Sequence, residues 1–473
     1  MTYEIHAIAS SFYPGEEVKI VTPESNVRDR VLRALSPTAS IDINENESSV
    51  RFAPGTAPYA GGPGWKDKSP KDDIKRFIYT AFSKETGTTL PWGVLTGVRP
   101  VKPALSMLEE GRTREEIEDK YISEYYVNRD KAALIYDIAV REHEILGKLM
   151  SPYSLYIGIP FCPTTCMYCS FASYPIGAYR EMVDGYIDRV IEELEDIPGI
   201  FGDNRPDTVY IGGGTPTSLS AAQLDRLMSE VDRIFDTGSL LEYTVEAGRP
   251  DTVTEDRLTV LKEHGVSRIS INPQSMNEKT LGFIGRSHSP TDVERAFQLA
   301  RELGFDNINA DIILGLPGEG RAEVLNTMEK MASLSPESLT VHALAVKNAA
   351  RMRKWIAEHG ADSTVIEEGV PELVMEKAAG MGLSPYYLYR QKHMTGNLEN
   401  TGYAREGRYG IYNVLMMEER QSIAAAGAGT VSKRVGPGRD IKRSVNVKEL
   451  KEYMDRYQEM ISRRREVFAP LRN

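Results

Sequence analysis

The stretch Tyr156-Ile-Gly-Ile-Pro-Phe-Cys162-Pro-Thr-Thr-Cys166-Met-Tyr-Cys169 contains every cysteine of the 473-residue chain. An apolar run, Leu155 to Ile159, leads directly into it, so the CxxxCxxC motif is predicted to lie on the loop after a strand. An odd, clustered set of thiols points to metal binding or catalysis and not to a disulfide framework. Three thiolates on one loop can hold three irons of a 4Fe-4S cubane and leave the fourth iron open to a small molecule. A zinc site completed by a distant histidine and a thiol cluster without metal are the alternatives, although zinc sites favour paired CxxC motifs and no second pair exists here.

Downstream of this stretch, short apolar strands alternate with amphipathic helices. This alternation is typical of consecutive βα units around a parallel sheet. The predicted strands are Leu155 to Ile159, Thr208 to Ile211, Tyr243 to Glu246, Arg268 to Ile271, Asn307 to Leu314 and Ser338 to Ala345. Six such units make three-quarters of a β/α barrel or a doubly wound sheet.

The flanking regions differ in pattern, so three domains are expected. Residues 1–150 are predicted to form an α+β domain of unknown role, residues 151–347 the β/α domain, and residues 348–473 a smaller, mainly helical domain. The expected N-terminal elements are strands at Thr2 to Ser10 and Glu17 to Thr22, a loop at Pro54 to Gly64, and helices at Lys71 to Lys84, Glu115 to Glu124 and Asn128 to Met150.

Composition and charge limit the function classes. The chain is 41% apolar and carries 57 basic and 68 acidic side chains, a net charge of −11. This acidity argues against a general nucleic-acid binder. No run of about 18 apolar residues predicts a membrane span. The first residues, Met1-Thr-Tyr-Glu-Ile-His, lack the pattern of a secretory signal, so a cytoplasmic location is expected.

Polar and glycine residues follow successive strands of the predicted barrel. Gly212-Gly-Gly-Thr-Pro216 follows the second strand and is no P-loop, because no Gly-Lys-Ser/Thr follows it. Glu246 ends the third strand, Gln274 follows the fourth, Arg286 lies in Ile284-Gly-Arg-Ser-His, and Asp311 is on the fifth. Each residue alone could be a surface or capping group. Their recurrence at strand ends, where a barrel builds its active site, indicates a binding site.

These motifs together resemble the radical S-adenosylmethionine (SAM) superfamily. Within it the chain is similar to the oxygen-independent coproporphyrinogen III oxidases, most closely to their longer members of the HemZ type. The likeness is strong over residues 151–347 and looser through the C-terminal region. It is carried by Tyr156-Ile-Gly-Ile-Pro-Phe-Cys, Gly212-Gly-Gly-Thr-Pro-Thr217, Ser270-Ile-Asn-Pro-Gln-Ser275, Gly285-Arg-Ser-His288, Asn309-Ala-Asp-Ile-Ile-Leu-Gly-Leu-Pro317, Tyr389-Arg-Gln-Lys, Gly396-Asn-Leu-Glu-Asn-Thr-Gly-Tyr403, Tyr412-Asn413 and Gly427-Ala-Gly429.

The resemblance implies a partial (β/α)6 barrel, a cofactor set and a reaction. Cys162, Cys166 and Cys169 would hold a 4Fe-4S cluster whose open iron binds exchangeable SAM, and Tyr168 would pack near the adenine. The SAM site would be lined by Tyr156, Tyr168, Gly213, Gly214, Thr215, Glu246, Gln274, Arg286 and Asp311. The implied reaction is oxidative decarboxylation of coproporphyrinogen III to protoporphyrinogen IX. It would use a low-potential electron donor such as flavodoxin or ferredoxin, and the C-terminal region would cover the tetrapyrrole.

Two positions depart from the family pattern and leave other functions open. Ser170 and Phe171 follow the third cysteine, where the best-known oxidases carry an additional cysteine, and Gly158 stands where they have histidine. A heme chaperone, with His342, His393 or a methionine as iron ligand, is one alternative. A radical SAM methyltransferase or ring-opening enzyme acting on heme is another.

A basic stretch near the C-terminus is a candidate for receiving substrate propionates or an acidic reductase. Residues Val431 to Glu466 contain eleven Lys/Arg and six Asp/Glu. A solvated helix face is the alternative for this stretch.

Overall fold

The computed structural model describes residues 2–13, 18–20, 39–43, 48–52, 59–61, 70–345, 351–360, 364, 366–391 and 398–469. Half of the predicted strand Glu17 to Thr22, most of the loop Pro54 to Gly64, and His393 lie outside these ranges. The described residues form two compact units, one within Met1–Ala139 and one within Val140–Met394 and Leu398–Asn473.

The N-terminal unit combines helices with a small antiparallel sheet of order β1-β2-β3. Its strands are β1 (Ser40–Ile43), β2 (Ser48–Arg51) and β3 (Tyr59–Gly61). The first helices of the chain are α1 (Thr2–Phe12), α2 (Pro70–Thr86), α3 (Lys102–Glu109), α4 (Arg114–Ser123) and α5 (Arg129–Leu146). The three helices predicted between Lys71 and Met150 are therefore present as α2, α4 and α5.

The expected strand at Thr2 to Ser10 is wrong, because this segment is the helix α1. Its buried residues are Ile5, Ile8, Ala9 and Phe12. This spacing of three and four residues places them on one face of a helix, and a strand would not bring them together.

The second unit is built on a parallel sheet, and all six predicted strands are confirmed. They are β4 (Tyr153–Ile159), β7 (Thr208–Gly213), β8 (Glu242–Glu246), β9 (Arg268–Ser270), β10 (Ile308–Leu314) and β11 (Ser338–Ala343). Each pairs in parallel with the next, in the order β4-β7-β8-β9-β10-β11. Two short strands, β5 (Phe161–Cys162) and β6 (Tyr174–Pro175), pair around the cysteine loop.

Helices follow the strands, which gives the βα repeat of a partial (β/α)6 barrel. They are α6 (Ile176–Tyr179), α7 (Val183–Asp196), α8 (Pro198–Phe201), α9 (Ala221–Phe235), α10 (Glu255–Glu263), α11 (Glu278–Phe283), α12 (Pro290–Glu302) and α13 (Arg321–Leu334). Ser220 and Ser289 begin α9 and α12 with capping boxes, which satisfy backbone N–H groups of the first turn. Alternate strand residues such as Leu155, Val209 and Val245 form the apolar face that packs in the core. The residues between them, such as Arg268, Asn309 and Asp311, belong to the opposite face and are mostly polar.

In place of a third compact unit, the C-terminal residues extend the same sheet at both ends. β13 pairs antiparallel with β11, and β14 pairs in parallel with β4. The strands are β12 (Ser384–Tyr389), β13 (Asn400–Ala404), β14 (Ser422–Ala426), β15 (Val431–Val435) and β16 (Ile441–Val445), with helices α14 (Met352–His359), α15 (Val370–Gly380), α16 (Ile411–Glu418) and α17 (Leu450–Phe468). The sheet order is β12-β13-β11-β10-β9-β8-β7-β4-β14-β15-β16. Edge strands present unpaired backbone groups, so these additions satisfy the two sides of the six-stranded core.

Across the described ranges, no helix combines the length and the apolar character that crossing a bilayer requires.

Candidate functional site

A cavity of about 440 Å³ lies along the carboxyl ends of the parallel strands and reaches into the sheet. This volume falls in the usual range for small-molecule and cofactor sites, about 300–1,000 Å³. All twelve residues predicted for the cluster and the SAM site line it. They are Tyr156, Cys162, Cys166, Tyr168, Cys169, Gly213, Gly214, Thr215, Glu246, Gln274, Arg286 and Asp311.

The cysteine loop is anchored to the loop after the fourth parallel strand. The Met167 N–H donates to the Ile284 carbonyl at 3.0 Å, and the Thr164 hydroxyl donates to the Gly285 carbonyl at 3.1 Å. Burial raises the pKa of Cys162 to about 11 and also raises the pKa of Cys169. Binding iron would reverse this, because a coordinating thiol is deprotonated outright.

The three thiols are not gathered as ligands of one ion. Within the ranges that the structure describes, no three His, Cys, Asp or Glu side chains are grouped to bind a single metal ion. In a cubane each thiolate binds a different iron, so a loop with three cysteines around one cavity fits that larger group.

The glycine stretch after β7 packs directly against the cysteine loop. The Gly214 N–H donates to the Ile159 carbonyl at 2.8 Å, and the Thr215 N–H donates to the Phe161 carbonyl at 2.7 Å. A Cβ at Gly214 would lie 2.6 Å from the Phe161 carbonyl oxygen, so only glycine fits. The Thr215 hydroxyl is 3.5 Å from the Cys162 sulfur. The resemblance places Gly213 and Gly214 in the SAM site; in the structure Gly214 permits close approach of two loops.

Glu246, at the end of β8, places a carboxyl group in the cavity wall. The Tyr210 hydroxyl donates to Glu246 Oε1 at 2.6 Å. The pKa of Glu246 is raised to about 7, mainly by burial and in addition by the nearby Asp311 charge, whereas the Tyr210 hydrogen bond opposes the shift. Glu246 is therefore poised between its neutral and charged forms near neutral pH.

Gln274 is held in a left-handed backbone conformation, with φ of +67°. Its N–H donates to the Asp311 carbonyl and its carbonyl accepts from the Ile313 N–H, both at 2.9 Å. A non-glycine residue in this region of conformational space is strained, and such strain clusters at functional sites. The Gln274 Oε1 atom is buried without a hydrogen-bond partner, so it can accept a hydrogen bond from a bound molecule.

Arg286 provides a buried positive charge. Its Nη1 donates to the carbonyls of Gly248 and Asn272 at 3.1 and 2.6 Å, and its Nη2 donates to the Tyr168 hydroxyl at 3.0 Å. These three partners are uncharged groups, and Nε is buried without a partner. The guanidinium therefore both fixes the ring of Tyr168 and suits an anionic group of a ligand.

Asp311, on β10, belongs to a polar network on the other side of the cavity. The Asn309 side-chain amide donates to its Oδ1 at 2.7 Å, and His342 Nε2 lies 3.8 Å from its Oδ2. Burial raises the pKa of Asp311, but His342 and Asn309 lower it more, so the net shift is downward. His342 Nδ1 in turn lies 3.4 Å from the Tyr389 hydroxyl.

Several lining residues were missed by the sequence interpretation. Tyr210 is one of them, and its ring stacks with the rings of the predicted Tyr156 and of Tyr412, with centroids 4.6 to 6.0 Å apart. Arg249 lies in the loop after Glu246, and its position just after the end of a predicted strand could have marked it as a site residue. Further cavity residues come from strand interiors and from the C-terminal region: Arg268, Asn309, Tyr387, Tyr389, Gln391, Asn400, Asn413, Met416 and Met417. Arg268 and Asn309 could have been found as inward-facing residues of predicted strands. The other seven come from the C-terminal region and reach the cavity only through tertiary contacts.

The basic stretch Val431 to Glu466 is not at the cavity, which corrects the interpretation that it receives propionates there. The cavity-lining residues end at Met417. Lys433 and Arg443 pair with Glu419, whereas Arg464 pairs with the buried Glu193 on α7. Part of the positive charge thus serves ion pairs within the C-terminal region, and the pair from Arg464 joins α17 to α7.

Comparisons with known proteins agree with this geometry. Residues 156–331 match the model of the Radical SAM superfamily. The chain is 39% identical to the oxygen-independent coproporphyrinogen-III oxidase-like protein HemZ of Bacillus subtilis, over 83% of this chain and 79% of HemZ. It is 34% identical to the heme chaperone HemW of Bacillus subtilis, over 64% of this chain and 75% of HemW.

A solved structure, coproporphyrinogen III oxidase (HemN) from Escherichia coli, has the same fold. Its TM-score is 0.54 at 22% identity, with 68% of this chain and 73% of HemN covered. The cysteine loop, the strand-end residues and the extent of the HemZ match lead to one conclusion. The chain belongs to the radical SAM superfamily, whose members use a 4Fe-4S cluster and SAM, and within it to the oxygen-independent coproporphyrinogen III oxidase family of the HemZ type.

Proposed function

We propose that this protein catalyses the oxygen-independent oxidative decarboxylation of coproporphyrinogen III to protoporphyrinogen IX. The observation that carries the proposal is the cavity itself, which brings the three cysteines, the strand-end residues and side chains of the C-terminal region to one place. The likeness to HemZ over 83% of the chain supports the same reaction class.

The cofactors would supply the radical chemistry, and the chain would position the reactants. When bound, the cluster and SAM would supply radical chemistry that can remove a hydrogen atom from a substrate carbon. Cys162, Cys166 and Cys169 would hold the cluster. Arg286 would receive the SAM carboxylate, and Asp311 would accept a hydrogen bond from the ribose.

The C-terminal region would form the substrate side of the cavity. It contributes aromatic, amide and thioether side chains: Tyr387, Tyr389, Gln391, Asn400, Asn413, Met416 and Met417. Aromatic and methionine side chains suit the flat macrocycle of a tetrapyrrole, and amide groups can donate to propionate carboxylates. Covering the reacting carbon would also exclude water that quenches reactive intermediates.

Each decarboxylation must also balance its electrons. Loss of a hydrogen atom from the propionate carbon β to the carboxylate, followed by loss of CO₂, forms one vinyl group and leaves one electron. An external acceptor must take that electron, and a low-potential donor such as flavodoxin or ferredoxin must reduce the cluster.

An anaerobic assay tests the proposal. Reconstituted protein is given coproporphyrinogen III, SAM and a chemical reductant, and the products are identified by mass spectrometry. We expect loss of two CO₂ per porphyrinogen, and no loss with the Cys166→Ser variant. Cleavage of SAM without decarboxylation, or a methylated or ring-opened heme as the product of a parallel reaction with heme, would contradict it.

A heme chaperone is the second candidate, favoured by the likeness to HemW. His342 is the described histidine in the cavity wall, but both its ring nitrogens face protein groups, Asp311 and Tyr389. Ligation of iron would have to break one of these contacts. Titration with heme distinguishes the two functions: the oxidase proposal expects no Soret shift that depends on His342, whereas a stable complex lost in His342→Ala would favour the chaperone.

A further inference from the structure

Arg249 is a buried cation that the proposed reaction does not use. It follows β8 in the loop Glu246-Ala-Gly-Arg-Pro250, and only 2% of it is exposed. Its Nη1 donates to the Thr164 hydroxyl at 3.0 Å and lies 3.7 Å from the Cys166 sulfur. The guanidinium thus reaches the cysteine loop at the middle one of the three thiols.

The other edge of this guanidinium is fixed. Nε and Nη2 donate to the two carboxylate oxygens of Asp251 at 2.9 and 3.0 Å. These two parallel hydrogen bonds fix the plane of the guanidinium. A lysine ammonium could not be oriented in this way, because it acts as a point charge. Nη1 is therefore aimed at Cys166 by the fold and not by chance rotation of a long side chain.

Asp251 has a second neighbour, His288, which does not compete with Arg249 for its charge. His288 Nδ1 lies 3.9 Å from Asp251, and its side chain is fully buried. The pKa of His288 is lowered to about 4, mainly by burial and in addition by the charges of Arg286 and Arg249, whereas the Asp251 charge opposes the shift. His288 is therefore neutral at neutral pH, and the carboxylate charge is paired with Arg249.

We infer that Arg249 is a positioning residue that tunes the reduction potential of the cluster. A cluster gains negative charge when it takes up an electron, so a nearby cation and an N–H donated to a ligating sulfur stabilise the reduced form. This raises the potential and makes reduction by the electron donor easier. Asp251 holds the Arg249 guanidinium in position. The change in reduction potential needs no substrate, so the inference does not depend on which tetrapyrrole is transformed.

The test is a redox titration of the reconstituted cluster in the absence of SAM and substrate. Electron paramagnetic resonance measures the amount of reduced cluster at each potential. Wild type is compared with Arg249→Gln, which removes the charge, and with Asp251→Asn, which retains it but weakens the fork. Iron and sulfide contents verify that each variant carries the cluster.

Arg257→Gln is the matched control. Arg257 supports the same loop by donating to the Thr252 and Leu219 carbonyls, without a contact to a cysteine. Its removal takes away hydrogen bonds to this loop but leaves the contact to Cys166 in place.

We expect Arg249→Gln to lower the ratio of reduced to oxidised cluster about tenfold at a fixed potential, which corresponds to about 59 mV for a one-electron couple. Asp251→Asn loosens the guanidinium but also removes a negative charge, and these two effects oppose each other, so its shift should be smaller than that of Arg249→Gln. Arg257→Gln should not shift the ratio. If Arg249→Gln assembles no cluster, Arg249→Lys decides, because it keeps the charge without the fork and should give a smaller fall. An unchanged potential in a variant with intact cluster, or an equal shift in Arg257→Gln, would overturn the inference.

Discussion

The carboxyl group of Glu246 makes the stability of the protein depend on pH, and the direction of this dependence follows from the shift of its pKa. Its folded-state pKa of about 7 lies above the ordinary value of 4.5, with burial as the main cause. The folded protein therefore holds a proton that the unfolded chain releases above about pH 4.5. This contribution to stability is fully present below that pH and is lost as the pH rises through 7.

Glu246→Gln should remove this pH dependence, since glutamine keeps the acceptor for Tyr210 but cannot ionise. We expect the stability of the variant relative to wild type to increase from pH 5 to pH 8. Urea unfolding of the cluster-free proteins at both pH values measures the difference. A difference between the proteins that is the same at both pH values would contradict this account of Glu246.

Position 158 leaves no room for the histidine that the best-known oxidases carry there. A Cβ there would lie 2.5 Å from the Thr430 methyl group. Thr430 belongs to the segment between β14 and β15, so the C-terminal region occupies the space that a larger side chain at position 158 would need. The departure from the family pattern is therefore coupled to a second residue.

Gly158→Ala should destabilise the protein by about 1–3 kcal/mol, the usual cost of overpacking. Thr430→Ser removes the methyl group and keeps the hydroxyl that donates to the Gly427 carbonyl. The double variant should recover most of the loss in a denaturant titration. Simple additivity of the two single effects would show that Thr430 is not the obstacle.

At the scale of elements, α17 is joined to the barrel by a buried ion pair. Arg464 Nη1 donates to Glu193 Oε2 on α7 at 3.1 Å, and both side chains are almost completely buried. Glu193 also accepts from the Tyr453 hydroxyl and the Asn446 amide. Removing one partner of such a pair leaves an uncompensated buried charge.

We therefore expect Arg464→Met to cost about 3–5 kcal/mol of unfolding free energy. Arg463→Met is the matched control, because the neighbouring Arg463 pairs with the exposed Glu459 on the same helix. The control should change stability by less than about 0.5 kcal/mol. Equal effects in thermal or denaturant unfolding would show that burial of the pair does not matter.

The sequence predicts some elements better than others, for physical reasons. The six parallel strands are short apolar runs bounded by amphipathic helices, and both signals are local. The segment Thr2 to Ser10 was assigned to a strand because its apolar residues partly alternate, although Ile5, Ile8 and Phe12 follow helical spacing. The two edges of the sheet were not foreseen, because pairing of β13 with β11 and of β14 with β4 joins residues far apart in the chain.

The site shows the same division. The twelve predicted residues lie within or next to the local motifs that carry the family resemblance, so the resemblance implied them. Tyr389, Asn413 and the Arg249 contact to Cys166 depend on how loops and C-terminal elements fold onto the barrel. The propionate interpretation of Val431 to Glu466 failed because local charge does not reveal ion pairing with distant acids such as Glu193 and Glu419.

At the scale of the whole molecule, the proposed cofactor site lies within the second unit. All twelve site residues lie after Val140, in a unit with its own core. A protein lacking residues 1–127 should therefore still assemble the cluster and cleave SAM. Iron content and SAM cleavage of the shortened protein check this. A folded, shortened protein that cannot retain iron would show that the N-terminal unit takes part in the site.

The central claim is that the cavity brings the SAM-derived radical to a propionate side chain of a tetrapyrrole. The most direct measurement uses coproporphyrinogen III deuterated at the propionate carbons β to the carboxylates. The account predicts that 5′-deoxyadenosine formed in an anaerobic turnover gains one deuterium, with protoporphyrinogen IX as the second product. Unlabelled 5′-deoxyadenosine, formed while the porphyrinogen stays intact, would contradict it.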